Sequence, residues 1–285
     1  MRSVLICQSD ADLVQAVMPR WLDGFTELAG ILVIRDKASN RWRKLKKCVA
    51  RDGVLATLDL LAFRLYQRAF LTKADRAFEQ SVKADMLKRF PNTLSGIPIL
   101  EVSSPNSPDA AEFLKLANCD IALACCKHIL KPEIFEIPRH GTYVMHPGIC
   151  PEYRNAHGCF WAMVNGDLSR VGMTLLKVDK GIDTGPVLGY FTGQYDEVRE
   201  TPLMIQRRMT YGNLDKVAET IQAFIAGTAR PIDTRGRQSA IWGQPTLTAY
   251  WKWKRSARER SSPKEPRPSD SQDLSETRGP VTATR

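Results

Sequence analysis

The spacing of apolar positions changes several times along the chain, and the changes predict alternating strands and helices. Residues 3–7 form a short apolar run; cap-type Ser9, Asp10 and Asp12 follow, and Leu13, Val14, Val17 and Leu22 then recur at helical spacing. The opening reads strand, turn, helix. Residues 30–34 are rich in branched side chains and close on Arg35 and Asp36, which predicts a second strand. A βαβ opening implies a parallel sheet. Between Ser39 and Pro91 the pattern turns helical, with Val54, Leu55, Leu58, Leu61, Leu65 and Ala69 on one side and Arg64, Arg68 and Lys73 on the other. This predicts a helical insertion over about 39–95 whose apolar side packs on its own domain. A basic amphipathic helix also suits a membrane surface or a partner.

Strand signals resume at 97–102. A helix at 109–116, strands at 120–124 and 142–145, further strands at 172–178 and 185–190, and one long helix over 202–225 ended by Gly227 complete the alternation. The fold class is therefore α/β, a Rossmann-like mostly parallel sheet with flanking helices. His146 falls directly after a strand, at the carboxyl edge where open α/β sheets place ligands. Trp242, Tyr250, Trp251 and Trp253 then interleave with Lys252 and Lys254. Such a cluster can stack on bases, but clamping the chain end to the domain is the expected use. From Ser256 onward Ser, Pro and charge dominate, too little apolar surface to offset ordering entropy. The expected divisions are a catalytic domain at 1–230, an aromatic extension at 231–254 and a disordered basic tail at 255–285.

With 43% hydrophobic and 25% charged residues, the composition excludes a largely disordered chain. The formal net charge of +10 favours anionic partners, and the surplus gathers at Arg41, Arg43, Lys44, Lys46 and Lys47 and after Lys252. Seven cysteines without regular spacing argue against a disulfide framework and for a reducing compartment. No apolar run suits a signal peptide or the ~18 residues of a membrane span, so cytoplasmic localisation is expected.

Residues 146–188 hold the densest chemistry: His, Arg and Asp among Gly and Pro turns between strand-like runs. All four histidines, His128, His140, His146 and His157, lie in or just before it. His146-Pro147 is followed by Pro151-Glu152-Tyr153-Arg154, then Trp161-Ala162 with Asn165-Gly166-Asp167, then Gly172-Met173-Thr174, then Asp183-Thr184-Gly185-Pro186. These ordered blocks resemble the formyltransferase family that uses 10-formyltetrahydrofolate, which includes methionyl-tRNA and glycinamide ribonucleotide formyltransferases. The resemblance extends weakly upstream through residues 121–130 and the opening, and covers neither the insertion nor the tail.

The resemblance implies a folate pocket and transfer of a formyl group to an amine, with 10-formyltetrahydrofolate as co-substrate. It assigns His146 to proton and oxyanion handling and Asp183 to tuning that imidazole and ordering water, which matches the two demands of such a reaction. Lys127, His128, Ile129 and Leu130 correspond to the folate-holding loop, with Asp179 and Gly181 in the loop that carries Asp183. Arg154 is expected to anchor that loop or the acceptor. The family's Asn two residues before the histidine is Val144 here, and losing such a donor costs about 2.7–4 kcal/mol of barrier. Asn155 and His157 are the expected substitutes.

The turn Cys7-Gln8-Ser9-Asp10 has no glycine, and Asp10 and Asp12 oppose a phosphate, which disfavours a ribonucleotide acceptor held there. The region after the long helix at Pro202 is expected to be too short for the separate β-barrel domain that methionyl-tRNA formyltransferases use for tRNA. The expected acceptor is another small-molecule or tRNA-linked amine; the basic surplus suits an RNA backbone, but no RNA-reading motif accompanies it. Two other readings compete. Cys125, Cys126, His128, His146, Cys150, His157 and Cys159 lie close in sequence but lack the paired spacing of structural zinc, so no metal is expected. A formyltransferase fold that binds folate or a partner without turnover is consistent with Val144.

Overall fold

β1 (Arg2–Gln8) buries Val4, Leu5, Ile6 and Cys7 completely in the computed structural model, which describes residues 1–36 and 41–262. A continuous apolar run marks a central strand covered by helices on both faces. The chain continues through α1 (Asp12–Asp23), β2 (Glu27–Ile34), α2 (Arg41–Asp52), α3 (Val54–Tyr66), a π-helical turn (Gln67–Leu71) and α4 (Thr72–Arg89). Next come β3 (Ile99–Val102), α5 (Pro108–Ala117), β4 (Ile121–Cys125), α6 (Pro132–Phe135), β5 (Thr142–His146), β6 (Arg154–Asn155) and α7 (Gly158–Val164). The last elements are β7 (Met173–Lys177), β8 (Val187–Phe191), α8 (Pro202–Tyr211), α9 (Leu214–Ile225), β9 (Ile241–Trp242) and α10 (Leu247–Ser261).

The main sheet has the order β3-β2-β1-β4-β5-β7-β8, parallel through β5 and antiparallel at β7 and β8. This is the Rossmann-like, mostly parallel sheet the sequence predicts. The strand pleat divides its core into two layers. Val4 and Ile6 join Leu32, Ile34 and Leu114 beneath α5, while Leu5 and Cys7 join Val17, Trp21 and Leu22 of α1. Helix starts follow the cap residues: Ser107, Thr201 and Thr246 accept the backbone N–H of Ala110, Met204 and Ala249, with Pro108 and Pro202 at the first helical position. No helix among the described residues is long and apolar enough to cross a membrane.

Three elements differ from the sequence pattern. The single helix expected over 202–225 is two, because the buried Asn213 turns its side-chain amide to the carbonyls of Met209 and Thr192 at 2.8 and 3.1 Å. That competition ends α8 at Gly212 and starts α9 afresh. The second difference lies in α3, where the stripe expected to face inward faces out: Leu55, Leu58 and Leu65 are 82%, 56% and 70% exposed. The helix carries two apolar stripes, and the inner place goes to Thr57, Leu60 and Phe63. Phe63 packs its ring 5.6 Å from Tyr250 and 6.2 Å from Phe160, and aromatic burial removes more area than an aliphatic ridge.

The third difference is at the chain end. α10 continues past the expected boundary at 254/255 to Ser261, with Trp253 and Ala257 buried on one face. Lys254 is also buried, and its ammonium caps the carbonyls of Glu197, Val198 and Glu200 at 2.7, 3.2 and 2.5 Å. The rest of the expected tail, 263–285, lies outside the described residues. Trp253→Ala is expected to cost about 3–5 kcal/mol of unfolding free energy as a core truncation, whereas Leu58→Ala should change it by no more than about 0.5 kcal/mol. Urea unfolding of the two variants measures both; equal losses would place Leu58 in the core.

Candidate active site

β5 alternates its side chains, so Thr142, Val144 and His146 share one face. Antiparallel pairing sets His146 opposite Thr174 of β7. The imidazole is buried and held at both nitrogens: Nε2 lies 2.7 Å from the Tyr153 carbonyl, and Nδ1 lies 3.4 Å from Asp183 Oδ2. A carbonyl only accepts, so this network assigns the hydrogen to Nε2. In the neutral ring Nδ1 is therefore the nitrogen with the free lone pair. With Nδ1 protonated, the contact to Asp183 becomes an ion pair.

The turn between β5 and α7 creates the carbonyl contact. A Cβ on Gly148 would stand 2.5 Å from the Tyr153 oxygen and 3.0 Å from His146 Nε2, so only glycine fits there. Buried Thr174 ties the turn down, donating to the Gly148 carbonyl at 2.6 Å and accepting from the Cys150 N–H at 3.0 Å. Asp183 arrives from the β7–β8 loop with a left-handed φ of 51°. A Cβ on Gly185 would collide with the Lys177 carbonyl at 1.8 Å, which lets the loop fold this tightly. Asp179 closes it from within by accepting from the Gly181 N–H at 3.0 Å and the Thr184 hydroxyl at 2.8 Å. The Asn155 N–H donates to Asp183 Oδ2 at 2.8 Å.

A strap from the C-terminal part of the chain braces the turn. β9 pairs with β6, setting Trp242 beside Asn155. The Trp242 ring stacks between Tyr153 and Trp161 at centroid distances of 5.6 and 5.1 Å, and its indole N–H donates to the Glu152 carbonyl at 2.9 Å. Arg237 grips the Glu152 carboxylate with two bonds of 2.9 and 2.7 Å.

Of the expected site residues, His146, Asp183 and Asn155 come together. Asn155 acts on the carboxylate through its backbone, while its side-chain amide donates to the Trp242 carbonyl at 2.7 Å. Arg154 donates to the Ile182 carbonyl at 3.1 Å, next to Asp183, and its Nε is buried without a partner. Asp179 and Gly181 shape the loop. His157 is half-buried before α7 with φ of 56°; burial pushes its pKa below the usual imidazole value, opposed by a hydrogen bond with Gln244. Among the described residues, no hydrogen bond joins His157 to His146 or Asp183.

The Lys127–Leu130 segment leans toward the ends of β1 and β2. Lys127 pairs with Asp10 at 3.0 Å, the Gln8 amide donates to His128 Nδ1 at 3.0 Å, and His128 Nε2 faces Asp36 at 3.2 Å. Ile129 is exposed and Leu130 buried. Val144 packs against the cluster of Cys150, Leu176 and Val187 and offers no donor. A cavity of about 430 Å³ between the stretch after α6 and the end of β7 reaches Asp179 but neither His146 nor Asp183. Burial pushes the Cys150 and Cys159 thiols up to about 12, so neither is a thiolate near neutral pH. Sequence reasoning missed the Tyr153 carbonyl, Thr174, Arg237 and the Trp242 strap; only Tyr153, Thr174 and Trp242 carried any signal, as members of a motif block or the aromatic cluster.

Comparison with known proteins shows the family of the chain. The family model described as formyl transferase matches residues 66–208. It contains His146, Tyr153 and Asp183, begins inside the helical insertion rather than after it, and leaves out β1 and β2. A methionyl-tRNA formyltransferase of Sorangium cellulosum (strain So ce56) is 35% identical over 109 residues, which are 38% of this chain and 32% of that one. Another, from Myxococcus xanthus (strain DK1622), is 28% identical over 138 residues, 48% of this chain and 44% of its own. The chain thus spans about a third to under half of the length of these curated relatives. Among solved structures, a phosphoribosylglycinamide formyltransferase from Anaplasma phagocytophilum superposes with a TM-score of 0.50 at 11% identity, covering 86% of this chain and 99% of that one. That likeness is one of fold.

Gly148→Ala tests the turn. Forcing a methyl between the Tyr153 carbonyl and the imidazole should lower stability by about 1–3 kcal/mol, read as a drop in thermal midpoint. An unchanged midpoint would mean the turn is looser than described.

Proposed function

Because the chain belongs to the formyl transferase family, matched over residues 66–208, we propose that it transfers a formyl group from 10-formyltetrahydrofolate to the amine of a small-molecule or tRNA-linked acceptor. The observation that carries this is the His146–Asp183 pair, a buried imidazole with one nitrogen committed to a carbonyl and the other facing a carboxylate. When bound, the donor supplies the formyl carbon and a nitrogen leaving group. The residues present suit such a ligand in one respect: exposed Ile129 and Ile182 offer apolar cover at the carboxyl edge.

In this reading His146 Nδ1 takes and returns the proton that moves between amine and leaving nitrogen. Asp183 balances the charge on the ring, and the Asn155 N–H fixes the oxygen that does so. In this reading the positive charge on the protonated ring also offsets negative charge that develops beside it. Val144 leaves the formyl oxygen without a side-chain donor from β5, which is expected to slow turnover by roughly a hundred- to a thousandfold. The same residue favours a second reading, a formyltransferase-fold protein that binds folate or a partner without turnover. The proposed donor and the irregular spacing of the seven cysteines favour a cytoplasmic location.

Incubation with labelled 10-formyltetrahydrofolate and a panel of amines tests the proposal. One or more amines should take label, and His146→Ala and Asp183→Asn should each reduce the rate by roughly 10²–10⁴-fold while far-UV circular dichroism is unchanged. Undiminished transfer by His146→Ala would end the assigned role. Folate binding with no labelled amine would favour the second reading.

A further inference from the structure

The outward stripe of α3 does not end with the helix. It runs into the π-helical turn, where Phe70 is exposed and lies 4.9 Å from the Tyr66 ring, and Tyr66 meets exposed Trp251 of α10 edge-on at 6.4 Å. Leu55, Leu58, Leu65, Phe70 and Trp251 therefore form an apolar ridge along one side of the molecule. A contiguous apolar surface of this kind on a globular chain marks an interaction site.

The rim of the ridge is cationic. Arg64, Arg68 and Lys73 stand exposed along α3, the turn and α4, and Lys252 and Arg258 along α10. The α2 sequence, which leads into α3, has six basic residues to one acidic, and that of α10 has five to one. Acids near the ridge are engaged: Asp52 pairs with Arg51 at 2.7 Å, Asp59 accepts from the Thr248 N–H at 3.0 Å, Glu200 of the groove pairs with Arg208, and Glu259 pairs with Arg255 at 2.9 Å. Between the turn and α10 runs a groove of about 970 Å³ whose lining mixes the aromatic Tyr66 and Trp251 with Lys252 and Arg258 and with Glu200 and Glu259.

We propose that this face seats the protein on an anionic lipid surface, with Leu55, Leu58, Leu65 and Phe70 in the acyl boundary and the rim cations at the headgroups. Apolar insertion and electrostatic attraction to anionic lipid add in such a contact. Charge decides between occupants. A second copy across a two-fold axis would set the cationic rim against itself. An RNA would satisfy the rim but leave the leucines without a partner. Residues 263–285 hold four basic and four acidic residues with only Leu274 and Val281 as large aliphatics, too few to cover the ridge.

Cosedimentation of the full chain with phosphatidylcholine vesicles, with and without phosphatidylserine, tests the proposal. Binding should be at least about tenfold tighter to the serine-containing vesicles, a factor equivalent to 1.4 kcal/mol, and should weaken with salt. The double variant Leu58→Glu, Leu65→Glu should lose about tenfold or more at an unchanged thermal midpoint, and Arg64→Gln with Arg68→Gln should lose the preference for phosphatidylserine. Absence of vesicle binding, or equal binding by the leucine variant, overturns the proposal. So does a dimer in light scattering that the leucine variant splits, or an RNA gel shift that it abolishes, when vesicles do not bind.

Discussion

The 2.7 Å contact between His146 Nε2 and the Tyr153 carbonyl is the constraint on which the site depends. Because the oxygen can only accept, it fixes the ring's orientation and tautomer together, leaving Nδ1 to face Asp183. Everything around it serves to place that one carbonyl. Gly148 lets the turn close, Thr174 ties it to β7, and Trp242 presses on the Tyr153 ring from outside. The site is therefore supported by the two antiparallel strands and a distant strap rather than by the parallel half of the sheet alone.

Much of this framework is legible in the sequence, for identifiable reasons. A parallel strand buried on both faces needs an unbroken apolar run, so β1 and β2 announce themselves, and His146 is found at a strand end by the same rule. Asp183 is legible through its motif block and its flanking glycines. The bracing is not. Asn155 and Trp242 are 87 residues apart, and no local period reports a pairing of two-residue strands. The sequence points to Asn155 by its side chain, whereas the structure uses its N–H, a group that every residue but proline possesses.

Helix faces show the limits of periodicity in another way. α3 has apolar residues on two sides, and a pattern count favours the more regular aliphatic one. Packing instead selects the side that carries Phe63, because Phe160 and Tyr250 are already in the core. At α10, lysines, arginines and serines outnumber the buried Trp253 and Ala257, so composition hides a helix whose inner face is short but fully packed. In both cases the outer surface misleads because it has its own chemistry, apolar on α3 and cationic on α10, unrelated to folding.

Long-range proton–nitrogen correlation spectra of His146 in the intact protein report which ring nitrogen carries the hydrogen. The predicted result is a hydrogen on Nε2 in the neutral ring, with an Nδ1 resonance that moves when Asp183 is replaced by asparagine. A neutral ring carrying its hydrogen on Nδ1, or an Nδ1 resonance indifferent to that replacement, would mean that the Tyr153 carbonyl does not set the tautomer.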